Sequence, residues 1–78
     1  QPDWAINIGR FASRFAAEKM LLRTALSEMA TLQGTQRKII IQRSGYDANF
    51  VGLTREGADL ACRKLQARSI NCLMIGPG

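Results

Sequence analysis

The chain has 78 residues, 46% of them hydrophobic and 22% charged, with 11 Lys and Arg against 6 Asp and Glu for a formal charge of +5. That is the composition of one ordinary folded domain rather than a disordered tail, and a chain this short buries only about 60% of the surface its unfolded form exposes, so its core is thin. No apolar run approaches the roughly 20 residues that span a bilayer, and with no His in the chain the commonest general base, the commonest metal ligand and any Ser-His or Cys-His nucleophile are excluded.

Gln1-Pro2-Asp3 reads as the end of a linker, and residues 4–76 as one module of a longer protein. Trp4-Ala5-Ile6-Asn7-Ile8 alternates with period two, which predicts a half-buried strand with Trp4, Ile6 and Ile8 inward and Ala5 and Asn7 outward. Ser13 is placed to cap a helix whose apolar stripe is Leu22, Ala25, Leu26 and Met29, ended by Gly34. Arg37 to Arg43, centred on Ile39-Ile40-Ile41, predicts a second strand, and Ser44-Gly45 turns the chain into a third over Tyr46 to Val51. There Ala48 and Phe50 are expected to face inward and Asp47, Asn49 and Val51 outward, an assignment that a one-residue slip in register would invert. Thr54 caps a second helix with the stripe Ala58, Ala61, Cys62 and Leu65, and Ile70 to Ile75 predicts a last strand with Ile70, Cys72 and Met74 inward and Asn71, Leu73 and Ile75 outward.

The order β-α-β-β-α-β is reinforced by a repeated outline. Ile8-Gly9-Arg10-Phe11-Ala12-Ser13 leads into Ala16-Ala17 much as Val51-Gly52-Leu53-Thr54-Arg55 leads into Ala58, Ala61 and Leu65. Two such strand-to-helix turns predict an α+β fold with a four-stranded antiparallel sheet, two helices on one face and the other face open for binding.

Cys62 and Cys72 are the only cysteines. Their phases, on the inward stripe of the second helix and among the inward residues of the last strand, allow the Cα separation of roughly 5.5 Å that a disulfide needs. Two buried free thiols fit the same pattern. A disulfide would contribute about 2 to 4 kcal/mol and would imply an oxidising compartment. Two thiols without His make no closed zinc site, and no metal or cofactor is expected. Nor does the chain carry a P-loop, a Gly-x-Ser-x-Gly or a Gly-x-Gly-x-x-Gly. The reading is a binder rather than a catalyst. The charge of +5 favours an anionic partner, whether nucleic acid, phospholipid or acidic polysaccharide, although the cations are dispersed rather than gathered into an arm.

Trp4-Ala5-Ile6-Asn7-Ile8-Gly9-Arg10-Phe11 is similar to the opening W-x-[IV]-Q-[IV]-G-x-F of the SPOR domain, a peptidoglycan-binding module of bacterial envelope proteins. Tyr46-Asp47-Ala48-Asn49-Phe50-Val51-Gly52-Leu53 resembles its third-strand pattern, and Ala61-Cys62-Arg63-Lys64-Leu65 with Asn71-Cys72-Leu73 resembles the ending of SPOR domains at the C-terminus of bacterial D-alanyl-D-alanine carboxypeptidases. The resemblance runs from Trp4 to Ile75. It implies a non-catalytic module of the periplasm or cell envelope that takes its parent protein to the cell wall or division septum by recognising glycan strands lacking stem peptides.

The expected binding residues are Asn7, Asp47, Asn49 and Leu73 at the centre of the open face, with Arg10 and Arg43 at its rim. Asn7 stands where the family usually has glutamine, and Asp47 and Asn49 stand where related domains carry arginine. Arg10, Lys38 or Arg43 would then have to supply the positive charge that a lactyl carboxylate attracts. The isolated domain is expected to be monomeric, with no nucleic-acid partner and no membrane insertion. An RNA-recognition motif shares the element order, but its stacking mechanism needs outward aromatics on the first and third strands, where this chain has Ala5, Asn7, Asp47 and Asn49. A module that joins a protein partner through its sheet edge is the third reading.

Overall fold

The alternation that begins at Trp4 carries strand β1 through Gly9 to Phe11 in the computed structural model, which describes residues 2–78. Gln1, part of the expected linker end, lies outside the described residues. The chain continues through α1 (Arg14–Ser27), the single turn α2 (Met29–Leu32), β2 (Gln36–Gln42), β3 (Gly45–Leu53), α3 (Arg55–Ala67) and β4 (Leu73–Ile75). All strand pairs are antiparallel, in the order β2-β3-β1-β4. Ser13 Oγ accepts from the Ala16 amide at 3.1 Å and Thr54 Oγ1 from the Gly57 amide at 2.9 Å, so both expected caps satisfy amides that the first helical turn leaves unpaired.

The core is one cluster between the sheet and the helices. Ile6, Ile8, Ala48, Phe50 and Leu53 come from the sheet, and Ala17, Leu21, Leu32, Ala58, Ala61, Cys62 and Leu65 from the helices. The α3 stripe is the expected one. That of α1 is not. Its buried residues are Ala17, Leu21 and Thr24, while Leu22, Leu26 and Met29 are exposed and Ala25 is half-buried. Both rows have helical spacing, and the sheet takes the row that starts with the small Ala17. Gly34 does not end α1 directly, because the helix breaks at Glu28 and resumes for one turn.

Burying Thr24 has a cost, since its hydroxyl finds no hydrogen-bond partner. Thr24→Val keeps the shape and removes the unpaired group. It is expected to raise stability by about 1 kcal/mol, read as a higher denaturant midpoint with an unchanged slope.

The expected last strand is shorter than Ile70–Ile75. At the end of α3 the Ser69 amide donates to the Gln66 carbonyl and the Ile70 amide to that of Leu65, with Ser69 at φ 63°. This is a Schellman closure with serine where glycine is usual, and it delays pairing until Leu73. The inward phase of Ile70, Cys72 and Met74 survives, since all three pack against the core. The sulfur atoms of Cys62 and Cys72 lie at bonding distance with Cα atoms 5.1 Å apart, so the disulfide joins α3 to the approach of β4. Gln66 Nε2 donates to the Cys72 carbonyl at 3.1 Å beside it. At the same end of α3, Arg68 pairs with Glu28, which also accepts from Thr31 Oγ1, and the Arg68 hydrogen bond holds the Glu28 carboxyl below its ordinary pKa.

Candidate binding face

Register determines what the open face presents, because directly opposed residues share a side of the sheet. Asn7 opposes Asn49 and Leu73, and Asn49 opposes Lys38, so one row reads Lys38, Asn49, Asn7, Leu73 across all four strands. The row beside it reads Gln36, Val51, Ala5, Ile75, and on the other side Ile40 opposes Asp47, which opposes Arg10. The face therefore runs from an apolar corner at Leu73 and Ile75, through an amide centre, to an ion pair beside Ile40.

Arg10 reaches this face through a bulge. After Asn7 opposite Asn49, the next register pair is Arg10 opposite Asp47, so Ile8 and Gly9 together stand against Ala48. The extra residue reverses the alternation and sends Arg10 outward and Phe11 inward, where Phe11 packs with Tyr46 against the core. Gly9 takes φ 141°, a conformation that side chains disfavour. Asn7 holds the bulge in place: its Oδ1 accepts from the Gly9 amide at 3.1 Å. Its Nδ2 donates to Asn49 Oδ1 at 2.7 Å.

The sequence places Asn7 and Asn49 as parallel sugar-binding amides, whereas the structure couples them to each other. Asn7 is mostly engaged within the protein, and Asn49 is buried to 8% exposure in the middle of the face. Asn49 Nδ2 makes no hydrogen bond within the described residues and is the donor left for a ligand. Arg10 is likewise committed. Its Nε and Nη2 meet the two Asp47 carboxylate oxygens at 2.7 and 3.1 Å, and its Nη1 donates to Ser44 Oγ at 2.7 Å. The Arg10 hydrogen bonds hold the Asp47 carboxyl below its ordinary pKa, and the same pairing raises the Arg10 guanidinium. The pair is locally neutral. It is a fixed polar clamp rather than a free cation.

Lys38 becomes the free positive charge in the central row, exposed beside Asn49 and without an ion-pair partner among the described residues. Arg43 is exposed in the two-residue turn with Ser44, at the ion-pair end of the face. Leu73 is 67% exposed, as its outward phase predicts. Ile40, absent from the expected site, joins it because parity within Ile39-Ile40-Ile41 is fixed only by pairing. Trp4 and Tyr46 both pack against the core, with Arg55 and Arg14 respectively stacked 5.9 Å from their ring centroids.

Among the described residues, none of the aromatic side chains lies on the open face. The hollows around Arg14 and Ile39, around Arg55 and Met74, and around Arg23 and Ile70 are lined by residues of the helix side and not by the rows of the open face. What the fold presents is an uncovered antiparallel sheet face with an amide centre, an ion pair at one end and an apolar corner at the other. No protein-family model, curated protein or solved structure matches this chain.

Proposed function

We propose that the domain is a non-catalytic SPOR-like module that binds peptidoglycan glycan strands lacking stem peptides and thereby localises a parent envelope protein to the cell wall. The observation that carries this reading is the row Lys38, Asn49, Asn7, Leu73 on an uncovered sheet. A glycan stripped of its peptides presents hydroxyls, acetamido groups, lactyl carboxylates and the CH faces of sugar rings. Lys38 suits the carboxylate, the free Asn49 donor suits a hydroxyl or carbonyl oxygen, and Leu73 with Ile75 suits a CH face. An uncovered sheet surface accepts a long strand without a pocket. The disulfide agrees with an oxidising compartment such as the periplasm.

The test is co-sedimentation of the purified domain with peptidoglycan sacculi before and after amidase digestion. Binding rises after digestion if denuded strands are the ligand. Lys38→Gln is expected to lower affinity about 2- to 5-fold, more at low salt than at high, as an exposed charge contact would. An unchanged bound fraction after digestion, or full affinity in both Lys38→Gln and Leu73→Ala, would overturn the reading. A nucleic-acid reading has less to stand on, because base stacking requires aromatic platforms where this face has amides and an ion pair.

A further inference from the structure

The outer side of α1 carries more large apolar side chains than its inner side. Phe15, Leu22 and Leu26 fall within an arc of about 40° around the helix axis, and they are 74%, 50% and 68% exposed. Met29, 63% exposed, prolongs the ridge into α2. A solvent-facing helix surface is ordinarily charged or polar, as that of α3 is, and contiguous exposed apolar residues on a small domain mark a contact surface.

The ridge is bordered by cations. Lys19 and Arg23 follow Leu26 around the helix and have no ion-pair partner among the described residues. Arg14 lies on the other flank beside the single acid Glu18, and Glu28, near Met29, is already bound to Arg68.

We infer that this ridge docks the domain on an anionic phospholipid surface, with Phe15, Leu22, Leu26 and Met29 at the boundary between headgroups and acyl chains and Lys19 and Arg23 against lipid phosphates. An apolar stripe with basic flanks is the pattern of a helix that lies in a membrane interface rather than across it. Only Leu22 of the ridge reaches the hollow on its Arg14 flank, whose other lining residues are Arg14, Glu18, Leu21, Arg37 and Ile39, so the ridge as a whole is not a groove. Charge also disfavours a second copy, because antiparallel pairing of two α1 helices sets the Lys19 and Arg23 flank of one against the same flank of the other. The ridge lies on the side of α1 away from Ala17, Leu21 and Thr24, which face the sheet, so lipid and a ligand on the open sheet face do not compete for one surface.

Vesicle co-sedimentation of the 78-residue chain tests the inference, with phosphatidylcholine vesicles compared against equal parts phosphatidylcholine and phosphatidylglycerol. Binding is expected to the anionic vesicles only, and to weaken as salt rises to about 0.15 M. Phe15→Ser with Leu26→Ser is expected to reduce partitioning about 10-fold or more, with an unchanged melting curve because both positions are exposed. Lys19→Gln with Arg23→Gln provides a second variant that leaves the apolar ridge intact, and it is expected to lose the preference for anionic lipid. Leu73→Ser, on the opposite face, is expected to bind vesicles like the parent. The inference fails if anionic vesicles do not bind the parent at low salt, if neutral vesicles bind it equally, or if the folded serine variant or the glutamine variant binds like the parent. It also fails if the parent forms a dimer that Leu26→Ser dissolves, since the ridge would then be a self-interface.

Discussion

Reducing the Cys62–Cys72 bond is expected to lower the stability of the domain by about 3 kcal/mol. The bond closes a short loop, with a sequence separation of 10, and so removes conformations from the unfolded chain. Domains of this length have stabilities of roughly 4 to 12 kcal/mol, which makes the loss a large share of the whole. The folded side contributes as well. β4 pairs through only three residues, Leu73, Met74 and Ile75, and its approach is held by the disulfide and by Gln66. Chemical denaturation of oxidised and reduced protein measures the difference directly, and Cys62→Ala with Cys72→Ala should reproduce it without leaving free thiols. Sacculus binding should weaken in the same samples, because Leu73 leaves the face when β4 frays. Equal denaturation midpoints in the two redox states would show that β4 is held by packing alone.

Asn7→Ala is expected to cost about 1 to 3 kcal/mol of stability, chiefly from the loss of its two shortest hydrogen bonds and the release of the Gly9 bulge. One lost bond is the acceptor for the Gly9 amide and the other fixes Asn49. With the bulge loosened, Arg10 is no longer aimed at Asp47, so the damage extends along the face. Affinity for denuded sacculi should therefore fall further than deletion of one sugar contact would explain, by about 10-fold. Asn49→Ala serves as the comparison: it removes the free donor but leaves the hydrogen bond from the Gly9 amide to Asn7, and should lose binding with a smaller loss of stability. An Asn7→Ala protein that melts with the parent would show that the bulge holds its shape without the Asn7 side chain.

Element order, helix caps, the α3 stripe and the outward phase of Leu73 were legible in the sequence because each depends on local periodicity or on a capping residue. The failures share a cause. In α1 two rows of residues satisfy the same helical spacing, and only the packing of the helix on the sheet decides which is covered. At Gly9 a bulge alters parity by one, which counting by twos cannot register, and this brings Arg10 to Asp47. Read along the chain, Asp47 is a missing cation. Read across the sheet, it is the partner of one, and Asp47→Arg would place two guanidinium groups together rather than restore a binding charge. The coupling of Asn7 to Asn49 was hidden in the same way, since the two positions are 42 residues apart.

The pairing of Ala5 with Ile75 brings the two ends of the module out of the sheet side by side, at one corner. A mechanical load applied between those ends would act as a zipper pull, opening the β1 and β4 pairs in succession instead of shearing them together. Only three residue pairs stand in its path before the force reaches Cys72. There the covalent bond to Cys62 carries the tension into α3, so the segment between the two cysteines is bypassed and not extended. A module built in this way yields first at its β4 margin, while the pairing of Asn49 with Lys38 between β3 and β2 keeps its registration.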